Sequence, residues 1–275
     1  MRHALAVLVL GAALSMPSGL DAASGPGLAL QAPIERATYQ KAAANAPLPI
    51  GVEADVYCSG WLGGPNERFP GTIASAEKID NQQAFLTGDI VYLDIGTADG
   101  VDAGQEYWVV RPSRSVLRWN SVRDELGRIY ETPGRVRVMC AQERSAIAEI
   151  VYGCTEVEVG DRLLAFEPIP IPLVRRTRVA TLCDAPNGKA LGHIVDSKDT
   201  VTPLGAGTIV YLDLGEEDGV SAGDFLTVFR VAVRVTAVRT VLGEAAVLMT
   251  RAHSAVAILT LSNDVMGVGD EVELK

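Results

Sequence analysis

Apolar and polar side chains alternate in short bursts along this chain, and one burst occurs twice. Val91, Leu93 and Ile95 fall on one side of an extended segment and Ile90, Tyr92 and Asp94 on the other. The stretch Ile90–Val101 returns as Ile209–Val220, with most positions identical. Period-two alternation of β-branched and aromatic residues predicts a strand. Asp99-Gly100 and Asp218-Gly219 then predict a tight reversal, because glycine takes positive φ without steric cost. Strands follow at Tyr107–Val110 and Phe225–Phe229. Strand, glycine-rich turn, strand is therefore a duplicated unit, and duplication is a fold-level signal.

The alternation continues beyond the block. Arg135–Cys140 and Ala146–Tyr152 read as a hairpin with its turn at Gln142–Arg144. Gly243–Met249 and Ser254–Leu261 repeat it. Ala146, Ala148, Ile150 and Tyr152 line one face, as do Ala255, Ala257, Leu259 and Leu261, so these positions are expected inside. Val159-Gly160-Asp161 and Val268-Gly269-Asp270 close the copies. Asp94 matches Asp213 but Gly134 matches Gly243, so the first copy carries about ten extra residues, all within Arg111–Pro133. Val52–Cys58 reads as a further strand and Ser59–Pro65 as a turn. A strand is expected over Arg178–Cys183, a turn at Pro186–Gly188 and a return strand over Gly192–Val195. Helical periodicity is scarce; only Ile34–Ala44 predicts a short helix. Many short strands with turn signals predict an all-β protein of two tandem small β-barrel-like modules, closed so that edges are not left open. The organisation expected is a signal peptide over 1–24, a flexible leader over 25–50, module one over 51–166, a linker over 167–176 and module two over 177–275. Pro168, Pro170 and Pro172 make that linker extended and semi-rigid.

The amino terminus points to export. Arg2 and His3 precede an apolar run, Ala4–Ala13, which Pro17, Ser18 and Gly19 interrupt before small residues at Ala22–Ser24. That is the pattern of a cleaved secretory signal, which places the mature chain in the periplasm or otherwise outside the cytoplasm. No later stretch is long and apolar enough for a transmembrane helix. The net charge of −10 argues against nucleic acid, whose binding rests on phosphate neutralisation.

Candidate chemistry is thin. His193 and His253 alone remain after the signal, too few for a clustered zinc site. No serine lies in a Gly-x-Ser-x-Gly elbow. The acidic loops Asp94–Asp102 and Asp213–Asp218 lack the ligand spacing of a calcium hand and read as structural turns. No catalytic residue, metal ligand or cofactor is expected. Arginine is the suggestive feature. Arg111, Arg114, Arg118, Arg123 and Arg128 crowd one connection together with Trp119, and Arg230, Arg234 and Arg239 occupy the corresponding one. Guanidinium forks bind carboxylates and an exposed Trp can anchor a partner. Arg114, Arg118, Trp119, Arg123, Arg234 and Arg239 are therefore the candidate partner-binding set; the alternative is that they are solvated strand ends paired with Asp124 and Glu125. Four cysteines, Cys58, Cys140, Cys154 and Cys183, allow three connectivities in an exported chain. Cys140 alternates with Val136 and Val138 and is expected as a buried thiol. It faces about Ala146, which places Cys154 too far along the hairpin for a direct bridge.

The series Tyr-Leu-Asp-x-Gly-x-x-Asp-Gly-Val-x-x-Gly, a valine-rich strand, Gly-Glu-Ala-x-Val with Ser-Ala-x-Ala, and Val-Gly-Asp-x-Val resembles the C-terminal domain of flagellar assembly protein T. It is similar also to tandem modules of exported bacterial envelope proteins that accompany LysM domains. The resemblance covers Gly88–Leu164 and Gly207–Leu274. It implies a non-enzymatic, β-barrel-like periplasmic module. The resembling modules carry a cysteine at the places of Cys58 and Cys154, so the resemblance implies that pair. The function expected is binding or scaffolding in the cell envelope, with an envelope protein or peptidoglycan as partner. The alternatives are a peptidoglycan-binding protein and a periplasmic hydrolase with its site between the modules.

Overall fold

The structure, a computed structural model, describes residues 46–80, 82–175, 177–232 and 238–275. The expected signal peptide, most of the expected leader and the helix expected over Ile34–Ala44 lie outside them. The first half contains β1 (Leu48–Pro49), helix α1 (Glu53–Tyr57), β2 (Trp61–Gly63), β3 (Gly71–Ala76), β4 (Ala84–Phe85), β5 (Ile90–Leu93), β6 (Glu106–Leu117), β7 (Glu125–Ala141), β8 (Ala146–Gly153), β9 (Val157–Glu158) and β10 (Arg162–Ala165). The second contains β11 (Leu173–Val174), β12 (Leu191–Ser197), β13 (Ile209–Leu212), β14 (Phe225–Ala232), β15 (Val238–Thr250), β16 (Ala255–Ser262) and β17 (Glu271–Leu274). The order β7-β6-β10-β3-β5-β8 closes on itself through β7–β8, and β12-β13-β16-β15-β14-β17 closes in the same way. The chain thus forms two closed six-stranded antiparallel barrels of one topology, as the alternation predicts.

The repeated block does the same work in each barrel. β5 and β13 run through the wall, and a 3-10 turn follows at Thr97–Asp99 and at Glu216–Asp218. Gly100 and Gly219 end those turns at φ 82° and 79°, the left-handed conformation expected of them. Gly96 and Gly215 are required for a different reason. A Cβ at Gly96 would collide with the Gln142 carbonyl, and one at Gly215 with the Arg251 and Ala252 carbonyls, because the hairpin tip packs on the turn. The acidic side chains are spent on backbone. Asp99 accepts the Gly96 N–H at 3.0 Å and Asp218 the Gly215 N–H at 2.9 Å. Asp94 and Asp213 accept the N–H groups of Thr72 and His193 on the neighbouring strand.

Each barrel has its own interior. Ile73, Val91, Leu93, Val136, Val138, Ala146, Ala148 and Ile150 fill the first; Ile194, Val210, Leu212, Ala245, Val247, Ala255, Ala257 and Leu259 fill the second. Tyr152 and Leu261, expected inside with them, are only partly buried. Val151 and Thr260 are extra residues in the β7–β8 and β15–β16 ladders, and each such bulge reverses the alternation beyond it. A bulge also corrects the expectation for Cys140. Val138 pairs with Ala148 but Cys140 with Ile147, so Met139 is inserted and Cys140 turns outward as an exposed, free thiol.

Other expectations are corrected by local capping. Val52–Cys58 is not a strand but α1, whose entry is set by Asp55 accepting the Val52 N–H at 2.8 Å; its neighbours Val56 and Tyr57 are both buried. Ser59–Pro65 is more than a turn, since β2 lies within it and pairs with β7. Arg178–Cys183 forms no ladder. Asp184 instead accepts Thr181 N–H and hydroxyl and pairs with Arg178, which holds the segment as an irregular strap. The arginine-rich connection is two long strands, β6 and β7, forming a hairpin arm whose tip spans 118–124.

Residues Ala46–Lys275 form one compact unit. A third apolar cluster draws on both halves: Trp61, Leu62, Trp108 and Tyr130 from the first, and Tyr211, Leu248 and Val256 from the second. Ile169 and Ile171 of the proline-spaced segment pack against it, and the Ile50 N–H reaches the Pro172 carbonyl at 3.2 Å.

Candidate functional site

The seam between the barrels is made by two parts of the first module. One is the strap formed by α1 and β2. Cys58 is joined to Cys154, a partner 96 residues away, with Cα atoms 5.5 Å apart, which is the pair the resemblance implied. The bridge fixes the strap against the end of β8. Beyond it the Tyr211 hydroxyl donates to the Ser59 carbonyl at 2.6 Å and the Ser254 hydroxyl to the Leu62 carbonyl at 2.6 Å. Tyr211 is fully buried, and burial raises its phenol well above the ordinary value, with Arg114 opposing.

The second part is the arm. Arg114 donates to Asp196 at 2.7 Å and to the Ser197 carbonyl at 2.6 Å, so it ties β6 to β12 of the other barrel. Trp119 lies over Gly269, where a Cβ would collide with its ring, and is stacked near His193 with centroids 6.2 Å apart. It remains 46% exposed. Arg118 pairs with Asp124 at 2.9 Å in solvent, and Arg123 is exposed beside them. Arg239 stands apart from this group: it is largely buried, pairs with Glu273 at 2.5 Å and lies 3.8 Å from the Phe229 ring centroid. Arg234 lies outside the described residues. The structure therefore brings Arg118, Trp119 and Arg123 together at one exposed tip and assigns Arg114 and Arg239 to internal pairs.

Two arginines at matching places are internal buckles. Arg111 grips Asp161 through Nε and Nη2, both at 2.8 Å, and Arg230 grips Asp270 at 2.6 and 2.8 Å. Hydrogen bonding to Asp161 raises the Arg111 pKa above its usual value, against the effect of burial. The recurrence of both arginine and aspartate at corresponding places in the two copies was a signal for these pairs.

A cleft of about 350 Å³ opens along the seam, lined by Tyr57, Trp61, Trp108, Glu167, Met249 and Arg251 among others. Sequence reading missed Arg251. Its guanidinium lies 4.5 Å from the Trp61 ring centroid and 3.6 Å from Glu67, and its side chain is 41% exposed. Its pKa is lowered by burial, opposed by Glu67. Such a cleft can hold an apolar group with a polar contact at its rim. His193 and His253 approach Asp213 and Glu217 at 3.3 and 3.4 Å.

Compared with protein-family models and with curated proteins, the chain matches none. The geometry is what the structure adds to a functional reading. It consists of a rigid double barrel, an exposed arm tip and a seam cleft.

Proposed function

We propose that this is an exported, non-enzymatic binding or scaffold protein of the cell envelope, related in role to flagellar-assembly-type modules. The observation that carries the reading is the Cys58–Cys154 bridge. Disulfides are characteristic of oxidising compartments, which supports export, and this one ties down the strap from which the seam is built. Inserted segments on a rigid β scaffold are where binding residues gather. The arm supplies such a surface, with Arg118, Trp119 and Arg123 at its tip. Their chemistry suits an acidic partner protein.

The test is crosslinking in intact cells, with partners read by mass spectrometry, beside a pull-down on purified sacculi. Capture of an envelope protein that weakens with salt, and that falls in an Arg118→Ala/Arg123→Ala variant of unchanged melting temperature, supports the reading. Retention on sacculi alone would replace it with glycan binding. Turnover of an envelope substrate by the purified protein would replace it with the hydrolase.

A further inference from the structure

The two barrels have equivalent outer faces, and among the described residues only one is covered. In the second barrel that face consists of Ile209, Tyr211, Leu248, Met249 and Val256, packed under the strap and arm of the first module. The counterparts in the first barrel are Ile90, Tyr92, Met139, Cys140 and Ile147. Each is apolar, aromatic or a thiol, yet Met139 is 55% exposed, Cys140 is exposed and the other three are only partly buried. The same bulge re-aims both faces: Met139 is inserted in β7 and Leu248 in β15.

The covered face shows what the open one would hold. Tyr211 and Ser254 each donate a hydroxyl to a carbonyl of the extended strap, those of Ser59 and Leu62. The counterparts of these donors are Tyr92 and Ser145. Among the described residues neither meets a backbone carbonyl of a strap, and the Ser145 hydroxyl reaches only the Gln142 side chain at 3.4 Å. The first barrel thus repeats both the apolar floor and the two hydroxyls. At its rim, Glu149 stands where the second barrel has Ile258, which sets a limit to the apolar area. This chain's own strap is committed to the seam by its disulfide and by Tyr211.

We propose that the face formed by Ile90, Tyr92, Met139, Cys140 and Ile147 docks an extended, aromatic-bearing strap from a partner chain that carries a module of this same kind. The contact is heterologous, with the outer face of one barrel covered by the strap of the next module, and so repeats between chains what the two modules do within one. Main-chain carbonyls three residues apart meet Tyr92 and Ser145, and an apolar aromatic side chain covers Ile147 and Met139. This inference rests on reading the protein as an envelope binding module and names the kind of partner.

The probe is a synthetic peptide with the sequence of residues 57–64, serine replacing Cys58, titrated against the full protein by fluorescence anisotropy. Two alkylation rates are followed, at Cys140 in the face and at Cys183 away from it. The expected result is saturable binding that slows alkylation of Cys140 but not of Cys183. Tyr92→Phe with Ser145→Ala should weaken it about tenfold, and Ile147→Glu should abolish it; both variants are to be checked for unchanged melting. No saturable binding up to about 1 mM peptide overturns the proposal, as does binding that leaves Cys140 equally reactive. Sedimentation showing that the chain self-associates through this face, with Cys140 shielded in the absence of peptide, overturns the choice of partner. If Ile147→Glu leaves envelope crosslinking intact, this face fails while the envelope reading stands. If the peptide binds but no envelope partner is captured in cells, the reverse holds.

Discussion

Tyr92 and Tyr211 stand at the same place in the same repeated block, and they meet opposite surroundings. Tyr211 is fully buried and its hydroxyl is bound to the strap; Tyr92 is partly exposed. The straps differ in a parallel way. The Tyr57 carbonyl accepts from the Thr132 hydroxyl and the Leu182 carbonyl from the Val241 N–H, and Thr132 corresponds to Val241. The residue after each is a cysteine, Cys58 in one case and Cys183 in the other. Cys154 and Thr155 both donate to the Pro133 carbonyl, while Asn263 and Asp264 both donate to that of Leu242. Asn263 therefore stands where Cys154 does, and Cys183 is a thiol whose counterpart is bridged. Two copies of one barrel can thus keep the same interior while their exteriors take different tasks, because only the interior is fixed by closure.

Four measurements test how far the two copies differ. The largest effect is expected from removing the bridge. Cys58→Ser with Cys154→Ser should cost about 4 kcal/mol, because a loop of this length is released in the unfolded chain. Calorimetry should show a large drop in melting temperature, and retention of wild-type stability would mean that the strap is held by packing alone. Next come the buckles. Arg111→Ala should cost about 3 kcal/mol by stranding the buried Asp161. Arg230→Ala should cost less, since its side chain is half exposed and the pair is better screened. Urea midpoints of the two variants decide it, and equal losses would argue against exposure as the cause.

The third measurement restores what the second barrel lacks. Asn263→Cys should form a bridge with Cys183 under oxidising conditions and stabilise by about 2 kcal/mol. Peptide mapping that finds both thiols free would show that the two straps are not equivalent in geometry. The smallest effect is that of a single hydroxyl. Tyr211→Phe leaves the Ser59 carbonyl unpaired in the seam and should cost about 1 kcal/mol, whereas Tyr92→Phe should cost nearly nothing. Equal effects in equilibrium unfolding would remove the contrast between the faces.

The amino-acid sequence alone determined the repeated barrel. The inward residues Ala146, Ala148 and Ile150, with their counterparts, were legible from period-two alternation. So were the reversals at Gly100 and Gly219. These rest on local sterics and on the two-sidedness of a strand, which a short window of residues contains. Tertiary structure decided the remainder. Alternation says which side faces a strand's own barrel, but a bulge that reverses it, as at Met139 and Val151, leaves no periodic mark. Five residues at α1 are too few for a helical period to show, so capping by Asp55 decided that element. Arg114 and Arg239 look like their neighbours in sequence; their partners Asp196 and Glu273 lie far along the chain, and only the fold brings them within reach. The burial of Tyr211 and the exposure of Tyr92 follow from the same cause. Which outer face is covered depends on where a distant strap docks, and that is a property of the assembled molecule rather than of either copy of the repeat.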